Sequence, residues 1–300
     1  MNVAALRDYE DWTPKLSLVV GTIGRKEALR RLFESLSKEI SRDFEVILVD
    51  QSGPQDREQV ASLATEFSND LHLRYLAIDG RGLSRARNLG LRHARGKYLG
   101  FPDDDCWYPG DAVGSVISFF ERNPHLGILS GAYSEPDVAN PSNTECELSL
   151  RNFFGRVSSV GLFLNRSSIE KAAIVFDERI GAGTDLPAGE ETDLILRLLL
   201  AGVNGFYDPS LVIYHRIHRH EAVTRERFVS LRKAFWFVIG KNYRPIFSEA
   251  KLVRGAASCV VKEADFGIST ALRAMLEGYW LGLKTRRTPG HGSPGESHSG

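Results

Sequence analysis

The strongest constraint in this sequence is its rhythm. Over the first 130 residues, apolar runs of strand length alternate with segments whose apolar residues recur every three or four positions. Runs at 16–20, 44–49, 73–78 and 97–101 predict strands, and a fifth at 126–130 closes the series. Between them, Leu29, Leu32, Phe33, Leu36 and Ile40 predict one helix, and residues 55–67 and 84–95 predict two more. A further helix is expected from Pro109, with Ala112, Val113, Val116, Ile117 and Phe120 inward, because proline suits the first helical position. Strands apolar on both faces and separated by helices imply a parallel sheet covered on both sides. Ligands of such sheets sit at the carboxyl ends of the strands. Those ends read Gly21-Thr22-Ile23-Gly24-Arg25, Asp50-Gln51-Ser52 and Pro102-Asp103-Asp104-Asp105.

Composition narrows the class. The chain has 300 residues, 42% of them hydrophobic, which suffices for a large core and excludes a disordered protein. Its 38 Lys and Arg balance 38 Asp and Glu. That balance argues against a nucleic-acid partner, and it means that an anionic ligand must be met by local cations or a metal. Cys106, Cys146 and Cys259 have neither metal-ligand spacing nor the density of a disulfide scaffold. Residues 1–15 lack the apolar core of a signal peptide, and no run of about 18 apolar residues occurs. The expected address is the cytoplasm, with contact at a membrane surface left open.

The second half is less regular. Residues 157–164 predict a strand, 190–201 a helix stopped by Gly202, and 205–214 a strand ending at His215. From Arg225 the chain is expected to stay helical to about Lys284. Phe228, Leu231, Phe235, Trp236 and Ile239 recur there beside Arg225, Arg227, Arg232, Lys233 and Lys241. Such a stripe suits a core-facing helix, and it also suits an amphipathic helix on anionic lipid. Residues 288–300 are Gly-, Ser-, Pro- and His-rich and are expected to be disordered. The expected organisation is an N-terminal extension over 1–13, a catalytic domain over 14–222, a helical region over 223–285 and a tail over 286–300.

Several strand and helix ends carry candidate chemistry. Three adjacent carboxylates at 103–105 repel one another unless a cation or donors compensate, and a hard divalent ion does so. A solvated acidic turn is the plainer account. Asp50 suits a nucleoside imide or hydroxyl, or else caps its own turn. Arg87 can meet a phosphate in bidentate fashion, or lie on the surface of its helix. Glu190, Glu191 and Asp193 open a helix, where the dipole favours them and where one can serve as a general base. His215 is a third metal ligand or a structural hydrogen-bonding residue.

The order of these pieces resembles the inverting family 2 glycosyltransferases. The resemblance rests on Gly82-Leu83-Ser84-Arg85-Ala86-Arg87-Asn88 followed by the Asp triplet after a strand, and on the segments 16–25, 44–52, 189–202 and 212–215. It covers about residues 14 to 218. It implies an α/β fold of GT-A type: a Rossmann-like nucleotide-binding sheet, mostly parallel, with the C-terminal helices as an extension. It also implies sugar transfer from a nucleotide-diphosphate sugar to an acceptor hydroxyl with inversion, in bacterial cell-surface or exopolysaccharide synthesis, on a glycan or lipid-linked acceptor. Thr22, Arg25, Asp50, Ser52, Arg87, Asp103 and Asp104 would then bind the donor. Asp105, Asp103 and His215 would hold Mg2+ or Mn2+.

The family commonly has Glu-Asp at the base position, and here Glu191 stands where that Asp falls, with Glu190 or Asp193 as alternatives. The first loop reads Gly-Thr-Ile-Gly-Arg where Pro-Thr-Tyr-Asn-Arg is commoner, which leaves the donor base open. A metal-dependent nucleotidyltransferase and a non-catalytic nucleotide-sugar scaffold are the competing expectations. A dinucleotide-dependent dehydrogenase is disfavoured, since no G-x-G-x-x-G follows the first strand.

Overall fold

The computed structural model describes residues 3–5, 12–135, 144–169, 173–216, 224–242 and 267–287. The chain divides into two compact units: residues 1–185 with 189–222, and residues 186–188 with 223–300.

The first unit is built on a ten-stranded sheet. Its strands are β1 (Val3–Ala5), β2 (Leu16–Thr22), β3 (Phe44–Asp50), β4 (Leu73–Ala77), β5 (Tyr98–Gly100), β6 (Cys106–Trp107), β7 (Ile128–Ser134), β8 (Cys146–Leu148), β9 (Leu162–Asn165) and β10 (Gly205–His215). The order across the sheet is β1-β4-β3-β2-β5-β9-β7-β10-β6, with β8 added to β10. Most paired residues lie in parallel ladders, β4-β3-β2-β5 and β7-β10, and β9 joins the two blocks by antiparallel pairing. The helices are α1 (Lys26–Leu36), α2 (Pro54–Glu66), α3 (Leu83–His93), α4 (Ala112–Arg122) and α5 (Glu190–Leu200).

The apolar rhythm maps onto this core. β2 and β3 are buried nearly throughout, as strands covered on both faces must be. α1 buries Leu29, Leu32, Phe33 and Leu36. α3 lies so close to the sheet that a Cβ on Gly90 would stand 2.3 Å from Val19 Cγ1. That approach fixes the position of the helix carrying Arg87.

Three expectations are corrected. Ile40 is not on α1: the helix stops at Leu36, Arg42 covers the Ser37 carbonyl at 2.7 Å, and Ile40 is 81% exposed. The helix expected from Pro109 starts at Ala112, because the Pro109 carbonyl accepts the Ala112 N–H and closes a turn first. The strand expected over 157–164 is confined to Leu162–Asn165, and the residues before it form a loop. Residues 288–300, expected to be disordered, and Cys259 lie outside the described residues. So does the segment 243–266 of the predicted helical region.

The start of α4 depends on a distant carboxylate. Glu39 accepts the Val113 N–H at 3.2 Å, and one of its oxygens is buried without a partner. Burial pushes this carboxyl up to about 7. The folded chain therefore holds a proton that the unfolded chain releases near 4.5. The resulting penalty on the folded state grows as pH rises from the unfolded value through about 7, and is complete above it. Gln at this position keeps the accepting oxygen and removes the charge. Glu39→Gln is expected to leave stability unchanged near pH 4 and to raise it at pH 8, by at most about 3 kcal/mol. Denaturant melts of both proteins across that range are the check, and parallel pH curves would refute the assignment.

Candidate active site

The acidic triplet is held against the end of β2, where Asp103 bridges Gly21. Its three carboxylates then diverge. Asp104 turns inward: Thr22 Oγ1 donates to it at 2.7 Å and Arg25 Nη1 at 2.8 Å. Burial still pushes Asp104 up to about 6 against those two donors. Asp105 receives Arg25 Nη2 at 2.5 Å on one oxygen and faces His215 Nε2 at 3.1 Å on the other. Burial opposes its charge, but His215 and Arg25 outweigh that and hold Asp105 well below the usual carboxylate range. The same contact raises His215, against its own burial. Asp103 accepts Arg87 Nη2 at 2.9 Å and lies 3.3 Å from the Ser159 hydroxyl, while burial pushes its pKa up.

Arg87 is fully buried. Its other terminal nitrogen donates to Glu190 Oε1 at 2.9 Å, and its guanidinium lies over the Phe176 ring at 5.4 Å from the centroid. Expected to approach a diphosphate, it instead joins two carboxylates of the protein. Asp50 is likewise engaged internally: Ser52 donates to it through its N–H at 2.8 Å and through its hydroxyl, and Tyr75 through its hydroxyl at 2.8 Å. Ser52 Oγ in turn accepts the Gly24 N–H at 2.7 Å. Asp50 and Ser52 thus tie the first loop to β3.

The start of α5 separates its acids. Glu190 faces Arg87, and Asp193 is buried in an ion pair with Arg197 at 3.0 Å, one turn along. Glu191 receives the Thr192 hydroxyl at 3.1 Å; burial and the neighbouring Glu190 charge push its carboxyl up to about 7.

Asp103, Asp105 and His215 offer ligand atoms within 4.8 Å of one another. Two carboxylates with one imidazole match a hard or borderline divalent ion, so these residues fit Mg2+ or Mn2+.

The sequence model of glycosyl transferase family 2 matches residues 17–160. That match covers just under half of the chain. The Bacillus subtilis glycosyltransferase EpsJ is 31% identical over 191 residues, covering 58% of this chain and 54% of EpsJ. Against other curated glycosyltransferases the chain spans as little as 15% of the relative's length. Two solved structures share the fold. A Pyrobaculum calidifontis mannosyltransferase in complex with GDP-Man and Mn2+ superposes with TM-score 0.62 at 16% identity, covering 90% of this chain and 88% of that one. S. aureus TarS 1-349 in complex with UDP-GlcNAc gives 0.56 at 16% identity, covering 91% of each chain. The fold is that of the GT-A glycosyltransferases.

Three partners at this site carried no sequence signal of their own. Ser159 lies on the loop that displaces the predicted strand, Phe176 lies beneath Arg87, and Tyr75 sits within an apolar run. Ser84 and Asn88, both in the Gly82–Asn88 motif, hold the segment 176–180 against α3. Ser84 Oγ donates to Ile180 O at 2.6 Å, and Asn88 exchanges hydrogen bonds with the Phe176 backbone. Arg87→Ala would leave Asp103 and Glu190 facing each other without their shared cation. It should destabilise the protein by about 3–5 kcal/mol, the usual cost of breaking a buried ion pair from one side. The thermal midpoint would fall by on the order of 10 °C; calorimetry showing an unchanged midpoint would refute this role.

Proposed function

We propose that this protein is an inverting glycosyltransferase. It moves a sugar from a nucleotide-diphosphate sugar to an acceptor hydroxyl in bacterial polysaccharide synthesis. The observation that carries the reading is the pairing of a three-residue ligand set, Asp103, Asp105 and His215, with a nearby helix start whose Glu191 carboxyl is raised to about 7. The family 2 match and the likeness to EpsJ support the reaction class. The UDP-GlcNAc and GDP-Man bound by the two structural neighbours support a nucleotide-sugar donor, and the Mn2+ of one supports a divalent cofactor. An intracellular donor suits a cytoplasmic address. A lipid-linked acceptor would bring the enzyme to a membrane surface.

Bound to Asp103, Asp105 and His215, Mg2+ or Mn2+ would supply Lewis-acid neutralisation of the leaving diphosphate. Arg25 is half exposed beside Asp104 and Asp105 and is the cation of this site suited to diphosphate oxygens. Glu191 takes the proton of the acceptor hydroxyl as its oxygen attacks from the face opposite the leaving group. Glu190 is paired with Arg87 beside it, and burial together with the neighbouring Glu190 charge raises the basicity of Glu191. Asp193 is a weak alternative base, because its carboxylate is committed to Arg197.

Glu191→Gln is expected to lower transfer by about two to four orders of magnitude while donor binding stays near wild type. Asp105→Asn should lower kcat by about a hundredfold or more and weaken the response to added Mn2+. Turnover assays with a nucleotide-sugar panel, alongside donor titrations, check both. Unchanged transfer in Glu191→Gln would remove it as the base. Release of pyrophosphate from a nucleoside triphosphate, in place of a nucleoside diphosphate from the sugar donor, would establish the nucleotidyltransferase instead.

A further inference from the structure

The second unit contains two described helices, α6 (Arg225–Lys241) and α7 (Ile268–Arg287). They run parallel, since Arg225 meets Thr270, Lys233 meets Glu277 and the Phe237 carbonyl meets Gly282. Glycines let the backbones touch: a Cβ on Gly278 would stand 2.3 Å from the Lys233 carbonyl, and one on Gly240 2.2 Å from the Tyr279 carbonyl. Part of the aromatic stripe of α6 is covered: Trp236, Phe237 and Ile239 are buried, and Trp236 lies edge-on to Tyr279 of α7.

The exposed apolar surface lies largely elsewhere, on α7. Ile268, Leu272, Leu276 and Trp280 follow one another at four-residue spacing and therefore form one row, with Leu281 beside it. Trp280 is 58% exposed, and Ile268, Leu276 and Leu281 are each exposed by at least 40%. Arg273 flanks the row at 82% exposure, and Lys284 follows Trp280 in the same row. Charge is concentrated on the same pair of helices. α6 has five cations against Glu226 and α7 has four against Glu277, a net charge of +7 in a chain whose total is zero.

We infer that the outer face of α7 docks on an anionic phospholipid surface. Leu276, Trp280 and Leu281 would enter the interfacial layer, and Arg273 and Lys284 would lie against the headgroup phosphates. Each half of the surface selects this occupant. An indole with neighbouring leucines suits the boundary between headgroups and acyl chains, and cations near it gain from the negative surface potential. A second copy would bring +7 against +7. Nucleic acid would use the charge and leave the leucines unburied. Among the described residues no helix is long and apolar enough to cross a membrane, so the contact is one of lying on the surface. The docking would serve the lipid-linked acceptor of the proposed reaction, but its physics does not depend on that reaction.

The test is flotation of the full chain, without donor or metal, on vesicles of phosphatidylcholine alone or mixed with phosphatidylglycerol. Binding is expected on the mixed vesicles only, weakening as salt is raised. Arg273→Glu with Lys284→Glu should lower partitioning by about tenfold or more. Leu276→Ser with Trp280→Ser should abolish flotation while helical circular dichroism and the thermal midpoint are retained. Equal binding to both vesicle types, or flotation surviving the Leu276 and Trp280 substitutions, would overturn the inference. So would self-association or nucleic-acid binding that those substitutions abolish, since either names a different occupant. Catalytic loss in Glu191→Gln with vesicle binding intact keeps the two proposals separately testable.

Discussion

A buried guanidinium organises the first unit's acidic cleft. Arg87 has no exposed surface and reaches Asp103 with one terminal nitrogen and Glu190 with the other, two residues far apart in the sequence. An arginine can do this because its planar fork presents donors in two directions from one charge. Without it the end of β5 and the start of α5 would bring like charges together in a poorly solvated place. Its own position is fixed from below by the close approach of α3 to β2 at Gly90, and from the side by Phe176. The segment that supplies Phe176 is in turn held by Ser84 and Asn88 of the same helix. The motif around Arg87 is thus a clamp as well as a charge.

The same arrangement divides labour among residues that look alike in sequence. Of the Asp triplet, Asp104 faces Thr22 and Arg25 within the protein, while Asp103 and Asp105 face the position shared with His215. At the start of α5, Glu190 is paired with Arg87, Asp193 is paired with Arg197, and Glu191 accepts the hydroxyl of the adjacent Thr192. Glu190 and Asp193 are each committed to an arginine, whereas burial and the adjacent Glu190 charge raise Glu191. Glutamate at position 191 reaches one methylene further than aspartate, so its usefulness depends on the helix start being anchored. The Glu190–Arg87 pair provides that anchor.

How much of this was legible beforehand follows from what each feature depends on. The strands, the helices between them and the carboxylates at their ends depend on local periodicity and turn chemistry, and they stand close to where the rhythm puts them. The triplet's approach to His215 comes from the antiparallel pairing of β6 with β10, which sets His215 opposite Cys106. Pairings between distant polar residues depend on tertiary geometry alone. Nothing in the runs around Tyr75 or Ser159 announces a partner at Asp50 or Asp103. Arg87 illustrates the limit: its place was evident, but a surface arginine, a phosphate ligand and a buried clamp have the same sequence. The start of α4 is similar, for the residue covering it is Glu39, far back in the chain, and not the nearby proline.

The C-terminal helices show the same limit from the other side. Periodicity identified an apolar stripe on α6 but gave no means of telling which residues of it would be covered. Glycines settle the matter, because Gly240, Gly278 and Gly282 allow two backbones to approach at a distance that any side chain there would forbid. α6 and α7 meet along those glycines, with Trp236 edge-on to Tyr279, and the opposite row of α7 is turned outward. The zero net charge of the chain then resolves into opposed parts: nine cations on two helices, offset by an acidic excess elsewhere that includes the Asp triplet at 103–105. A sum of zero is therefore no evidence of neutral surfaces. Charge segregation of this kind favours a polyanionic neighbour for one part and a metal–diphosphate for the other, and the exposed tryptophan row selects lipid among the polyanions.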